Sequence, residues 1–162
     1  TSSCGACGKA SVDAIMAQSM YSQAENDMKI DGKILFALQE KLLAVQSAFE
    51  MTGGLHACAI FSPEGDYLFH SEDVGRHNAL DKLIGHAFMA GRIPLDKHIL
   101  LLSGRASFEL IQKASMAGIS CIVAVGAPSS LAVELAKENK LTLVGFLKKS
   151  GFNIYSGSQR IL

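Results

Sequence analysis

Three apolar runs in the second half of the chain constrain the fold more than anything else. His98 to Leu102, Cys121 to Val125 and Leu141 to Leu147 are separated by two segments of helical period, Phe108 to Ala117 and Leu131 to Glu138. An apolar run with no polar face must be covered on both sides if it is a strand. Strands joined through helices pair in parallel by right-handed crossovers. The spacing therefore predicts a parallel core with helices on its faces. Ligands of such sheets bind at the carboxyl ends of the strands, against helix N-termini.

The first half adds an antiparallel pair. Leu55 to Phe61 reads as a strand, Pro63-Glu64-Gly65-Asp66 as a turn, and Tyr67 to His70 as the returning strand. Leu80, Leu83, Ile84, Ala87 and Phe88 mark a helix after it. Ile34, Leu38, Leu42, Val45 and Phe49 predict one longer amphipathic helix before it, ended by Gly53-Gly54. Val12, Ile15, Met16 and Met20 also recur at helical spacing, and Tyr21 to Lys33 reads as a surface connection. The expected fold class is α/β: three layers, α/β/α, on a mixed five-stranded sheet. Asn153 to Tyr155 is a candidate further strand. Residues 1–32 form a mobile N-terminal segment in this reading, and residues 33–162 the α/β domain.

Composition narrows the function classes. An apolar fraction of 49% and a charged fraction of 19% exclude an intrinsically disordered chain. The 15 basic and 15 acidic residues cancel, so a bulk basic footprint for nucleic acid is absent. The halves differ, however: residues 1–75 hold 4 basic and 10 acidic groups, and residues 76–162 hold 11 and 5. An anionic ligand is expected to use the second half. The longest charge-free stretch, Ala114 to Val133, is broken by glycines, serines and Pro128, so it reads as helix end, strand and new helix rather than a membrane span. The opening Thr1-Ser2-Ser3-Cys4 has no basic region followed by an apolar run. Four cysteines are too few for a disulfide scaffold. The expectation is a soluble, cytoplasmic protein.

Cys58 and Cys121 sit in apolar runs and read as core thiols. Cys4-Gly5-Ala6-Cys7-Gly8 is different. Two thiols at this spacing can close a disulfide, share a metal, or act as nucleophile and resolver. The flanking glycines open the backbone, and Lys9 favours a thiolate. Structural zinc needs two further ligands, and neither a second CxxC nor an HxxxH exists. His70-Ser71-Glu72 mimics the HxE of zinc nucleobase deaminases, but their CxxC follows the HxE whereas this one precedes it. No metal ligands are assigned.

Three polar segments fall at the expected strand ends. Glu72-Asp73-Val74-Gly75-Arg76-His77-Asn78 opens a helix. Ser103-Gly104-Arg105-Ala106-Ser107 opens another and suits phosphate through its glycine, hydroxyls, arginine and free helix N–H groups. Leu147-Lys148-Lys149-Ser150-Gly151-Phe152 follows the third apolar run, either as a solvated turn or as a basic loop closing on an anion. Arg76, His77, Ser103, Gly104 and Arg105 are the candidate ligand-binding residues outside that loop.

In order along the chain stand Cys4-Gly5-x-Cys7-Gly8, Thr52-Gly53-x-x-His56, the run Glu72 to Lys82 (EDVGRHNALDK), Ser103-Gly104-Arg105-Ala106-Ser107-x-Glu109, Leu141-Thr142-Leu143-Val144-Gly145-Phe146 and Asn153-Ile154-Tyr155. On these motifs the chain resembles the formate dehydrogenase accessory sulfurtransferase family, end to end. The resemblance implies a cytidine-deaminase-like fold without the zinc. It implies a sulfur carrier that takes persulfide sulfur from a cysteine desulfurase. The acceptor is the bis(molybdopterin guanine dinucleotide) cofactor, bound as substrate before insertion into formate dehydrogenase. By the same resemblance Cys4 carries the persulfide, Cys7 is the second thiol, and Leu147, Lys148, Lys149, Ser150, Gly151 and Phe152 bind the cofactor. Homodimers are implied too. Family members carry a further region before the CxxC, so a longer parent chain is expected. Lys148 and Lys149 stand where relatives vary among Arg, Lys and Pro, and lysine offers a point charge rather than a planar fork. The alternatives to a carrier are a cofactor-binding chaperone without sulfur chemistry and a zinc hydrolase of the deaminase class.

Overall fold

The computed structural model describes residues 19–21 and 26–162. One six-stranded sheet runs through it, in the order β2-β1-β3-β4-β5-β6. Its strands are β1 (His56–Phe61), β2 (Tyr67–Asp73), β3 (Ile99–Leu102), β4 (Cys121–Ala124), β5 (Thr142–Lys148) and β6 (Gly151–Ser156). The helices are α1 (Gly32–Leu43), α2 (Ser47–Thr52), α3 (Arg76–Met89), α4 (Phe108–Met116) and α5 (Ser130–Glu138). β3, β4 and β5 pair in parallel, as the apolar runs require. β1 and β2 pair antiparallel, and β1 joins β3 antiparallel.

The expected five-stranded sheet is corrected to six. The sixth strand is Gly151–Ser156, which takes in the candidate Asn153 to Tyr155 and pairs antiparallel with β5. Only Lys149 and Ser150 separate the two strands, so the presumed basic loop is the tip of a tight hairpin. Five of the six residues of β6 are polar, small or aromatic, and none is buried, which hides an edge strand from an apolar-run search.

β3 and β4 are buried along their whole length. Leu100, Leu102, Ile122 and Ala124 face a cluster built from α3, α4 and α5. Ile99, Leu101, Cys121 and Val123 face the cluster under α1, with Leu35, Leu38 and Leu42. Alternating strand residues thus feed two separate cores, which makes the three layers. Burial of each such Leu or Ile stabilises the fold by roughly 1.5–3 kcal/mol. Ahead of α1, Met28 and Ile30 already belong to the second core, and Ile30 N donates to Arg160 O at 2.8 Å. Packing of the domain therefore starts before residue 33. The expected N-terminal segment lies largely outside the described residues.

The single helix expected over Ile34 to Phe49 is two helices. Gln46 breaks it with φ −81 and ψ 70. The carboxylate of Glu72, reaching from β2, accepts from Ala48 N at 3.2 Å, Phe49 N at 3.1 Å and Gln46 Nε2 at 3.3 Å. It caps α2 from another element, replacing a local N-cap side chain. Glu72→Ala is expected to cost about 0.5–2 kcal/mol, the worth of an N-cap. Urea denaturation measures this, and amide exchange should speed up at Ala48 and Phe49 while β3 and β4 stay protected.

Candidate functional site

Antiparallel β1 settles which groups meet at the carboxyl edge of the parallel strands. Its first residue, His56, and the last of β2, Asp73, are register partners there. The turns leaving β3 and β4 reach the same edge. A ladder of backbone bonds ties them: Gly126 N donates to Gly104 O at 2.9 Å, and Phe146 N donates to Gly126 O at 3.1 Å. Ala106 N donates to Ala127 O at 3.1 Å. A Cβ on Gly126 would lie 2.9 Å from the Gly104 carbonyl carbon and the Arg105 nitrogen, so only glycine lets these two turns touch.

The candidate residues divide at this edge. Arg76 and His77 open α3, whose N-cap, Gly75, offers no side-chain bond. Ser107 is the N-cap of α4 but makes no capping bond either. Its Oγ lies 3.4 Å from His77 Nε2 instead, and Glu109 Oε2 lies 3.8 Å from that same nitrogen. Two helix N-termini without side-chain caps therefore sit side by side with an arginine and an imidazole. This is a favourable environment for an anion. The Arg76 Nε is enclosed and has no hydrogen-bond partner among the described residues.

Ser103 and Gly104 act differently. Ser103 Oγ accepts from Ala57 N at 2.9 Å and pins β3 to β1. Gly104 gives room for the His56 ring, whose Nδ1 would be 3.3 Å from a Cβ there. Arg105 is exposed. A cavity of about 420 Å³ lies beside Ser103, walled by Gln39, Gln46, Phe49, Gly54 and His56. None of these five is among the candidate ligand-binding residues of the sequence; Phe49 and Gly54 stand there in a helix and its end, and His56 in a motif. The usable signal was topological: an antiparallel neighbour brings its first residue to the carboxyl end of β3.

The hairpin residues also part company. Lys148, Lys149 and Ser150 are exposed. Leu147 is 1% exposed and packs in the core under α1, so its side chain is structural. Phe152 is half-buried, its ring 5.3 Å from that of Phe36. Phe146, at φ 54, and Asn153 join Lys148, Ser150, Gly151 and Phe152 around a shallow space of about 380 Å³. The Phe146 bond to Gly126 brings the root of this hairpin to the edge carrying Gly104. Cys4 and Cys7 lie outside the described residues.

The electrostatics favour a neutral His77 and an ionised Asp73. Burial, then the neighbouring Arg76, push the His77 pKa below the ordinary imidazole value, and Glu109 opposes them. The Gly75 N–H, with help from Asn78 and Lys82, holds Asp73 below the usual carboxylate range. Cys58 and Cys121 are buried, and desolvation raises both thiols, so neither is a thiolate near neutral pH. His70 bonds the Tyr67 hydroxyl at 2.7 Å, and Glu72 caps α2, so the HxE pair is used structurally. Among the described residues no group of three or more His, Cys, Asp or Glu could hold a metal ion. No described helix is long and apolar enough to cross a membrane.

Fold and edge together define an α/β/α protein whose strand edge gathers two helix N-termini, Arg76 and His77. Known proteins place it more closely: the chain belongs to the FdhD/NarQ family, which it matches over residues 1–162. It is 52% identical over 162 residues to the sulfur carrier protein FdhD of Streptomyces avermitilis, covering 99% of this chain and 57% of that one. It is 44% identical over 160 residues to the protein of the same name from Saccharolobus solfataricus, covering 60% of it. A crystal structure from Desulfotalea psychrophila, described as that of a formate dehydrogenase accessory protein, superposes with a TM-score of 0.76 at 29% identity. That match covers 84% of this chain and 58% of the other. The chain thus spans less than two thirds of the length of these relatives.

His77 supplies a pH test. Folding lowers its proton affinity, so this group's contribution to stability is complete above the unfolded value, about 6.5. The contribution declines as pH falls through that value towards the lower folded one. In an NMR titration the His77 ring should have its midpoint below the ordinary imidazole range. Glu109→Gln should lower the midpoint further and Arg76→Gln should raise it.

Proposed function

We propose that this chain is the sulfur-handling part of a carrier that receives persulfide sulfur from a cysteine desulfurase. It passes the sulfur to the bis(molybdopterin guanine dinucleotide) cofactor, its substrate, for formate dehydrogenase. The observation that carries this reading is the match of 99% of the chain to a relative named as a sulfur carrier protein. The cysteines support it. Cys58 and Cys121 are shut in the two cores, which leaves Cys4 and Cys7 for the chemistry. A cytidine-deaminase-like fold, a homodimer and a cytoplasmic setting belong to the same proposal.

The chemistry balances simply. The Cys4 thiolate attacks the outer sulfur of the donor persulfide; that S–S bond breaks, the donor leaves as thiolate, and Cys4 holds the persulfide. Cys7 as thiolate then attacks the Cys4 sulfur. Hydrosulfide leaves for the metal, and the Cys4–Cys7 disulfide that remains is reopened by a cellular thiol reductant. Arg76, His77, Arg105, Lys148 and Lys149, with the first-turn N–H groups of α3 and α4, hold the phosphates of the dinucleotide. Ser103 and Gly104 keep the Arg105 turn in place, and Ser150, Gly151 and Phe152 shape the hairpin that meets the ligand.

Intact mass after incubation with a desulfurase and cysteine tests the carrier. The expected result is a gain of one sulfur, mapped to the peptide holding Cys4 and reversed by reductant. Cys4→Ala should abolish the gain and leave guanosine diphosphate binding unchanged. No gain, with binding retained, would favour the chaperone; no gain, with stoichiometric zinc, would favour the hydrolase.

A further inference from the structure

The cavity of about 420 Å³ beside Ser103 differs in kind from the basic groups that share its edge. Among the described residues no Asp, Glu, Lys or Arg lines it. Leu42, Phe49 and Val125 give it apolar wall, and Gln39, Gln46, His56 and Ser103 give it polar groups. Small-molecule sites commonly have this form, an apolar pocket of roughly 300–1,000 Å³ with a few convergent polar groups. A full charge would find no counter-charge inside, so the group that fits is neutral.

The fold also fixes what the polar groups offer. Glu72 accepts from Gln46 Nε2 at 3.3 Å, so this amide is held by its nitrogen, and the end turned from the carboxylate is its carbonyl oxygen, an acceptor. Ser103 Oγ accepts from Ala57 N at 2.9 Å and keeps its own hydrogen to donate. Gln39 brings a second amide, and Phe49 a flat ring for stacking. The matching ligand is planar and neutral, with N–H donors beside a carbonyl acceptor. A 2-amino-oxopyrimidine ring has that edge: carbonyl, ring N–H and amino group in a row. α2, which carries Phe49, buries none of its residues, so this wall can shift to admit a ring. Phosphates tethered to such a ring have Arg105, two residues past Ser103, and the Lys148–Lys149 hairpin on the same edge.

We propose that the cavity beside Ser103 is a binding site for a 2-amino-oxopyrimidine ring, the group that guanine and pterin share. The identity of the ligand rests on the carrier reading, whose dinucleotide substrate holds both rings.

Titration of the isotope-labelled 162-residue protein with guanosine and, separately, with biopterin tests this by NMR, since neither carries a phosphate. At least one of them is expected to give saturable shifts at the Gln39 and Gln46 side-chain amides and at the Phe49 N–H. Guanosine alone would assign the cavity to the guanine end of the substrate, and biopterin alone to the pterin end. Adenosine, which lacks that edge, should leave these signals in place. Phe49→Ala should weaken the binding about tenfold, as loss of one stacked ring does, with the amide of core Leu100 unmoved. No shift from either ligand, equal shifts from adenosine, or undiminished binding by Phe49→Ala would each overturn the proposal. A gain of sulfur on Cys4 with a silent cavity would remove the ring site and keep the carrier; ring binding without that gain would do the reverse.

Discussion

Strands β3 and β4 have no face left for water. Eight residues, all buried, carry side chains into both cores, so helices must cover the sheet twice over. Desolvation makes the arrangement compulsory: an uncovered face would leave large aliphatic side chains in solvent. Covering helices on parallel strands have to start at the carboxyl edge. The N-termini of α4 and α5 therefore arrive beside the turns after β3 and β4, and the edge gains its partial positive charge from the backbone before any basic residue contributes.

That inference from apolar runs to parallel crossovers was open to sequence reasoning, because the period of burial is written in side-chain type. So was the helix start at Arg76 and His77. Three features were hidden in part or altogether. β6 shows in the sequence only as the short candidate Asn153 to Tyr155, because it pairs through its backbone and buries no residue. The break between α1 and α2 depends on Glu72, more than twenty residues away, and local propensity carries no trace of a cap supplied from another strand. The division of Ser103-Gly104-Arg105 into two structural residues and one exposed arginine follows from contacts with Ala57, His56 and Gly126, which only the folded sheet brings near. Leu147 shows the same limit: a ligand-binding stretch assigned by resemblance includes a position that faces the core.

The site separates reactivity from recognition. The two cysteines in the described structure are desolvated and inert, and they hold the sheet like any other small apolar side chain. The charged and polar groups gather at one edge, where helix ends, Arg76, Arg105 and the Lys148–Lys149 hairpin tip offer positive potential. Two acidic groups of the first half lie close to this edge and hold local structure there: Asp73 accepts from Gly75, Asn78 and Lys82, and Glu72 caps α2.

The capping of α2 by Glu72 bears on how rigid the edge is. None of the six residues of α2 is buried, yet Phe49 walls the cavity beside His56, as do Gly53 and Gly54 just past the helix end. A helix without a buried face has almost no hydrophobic free energy resisting its displacement. Local opening there draws on a few polar bonds, far below the global unfolding free energy of the sheet. One wall of the cavity is therefore set by the core and barely deforms, while the opposite wall can shift at the expense of one carboxylate's hydrogen bonds. The volume of that cavity thus depends on a carboxylate that lies outside its lining.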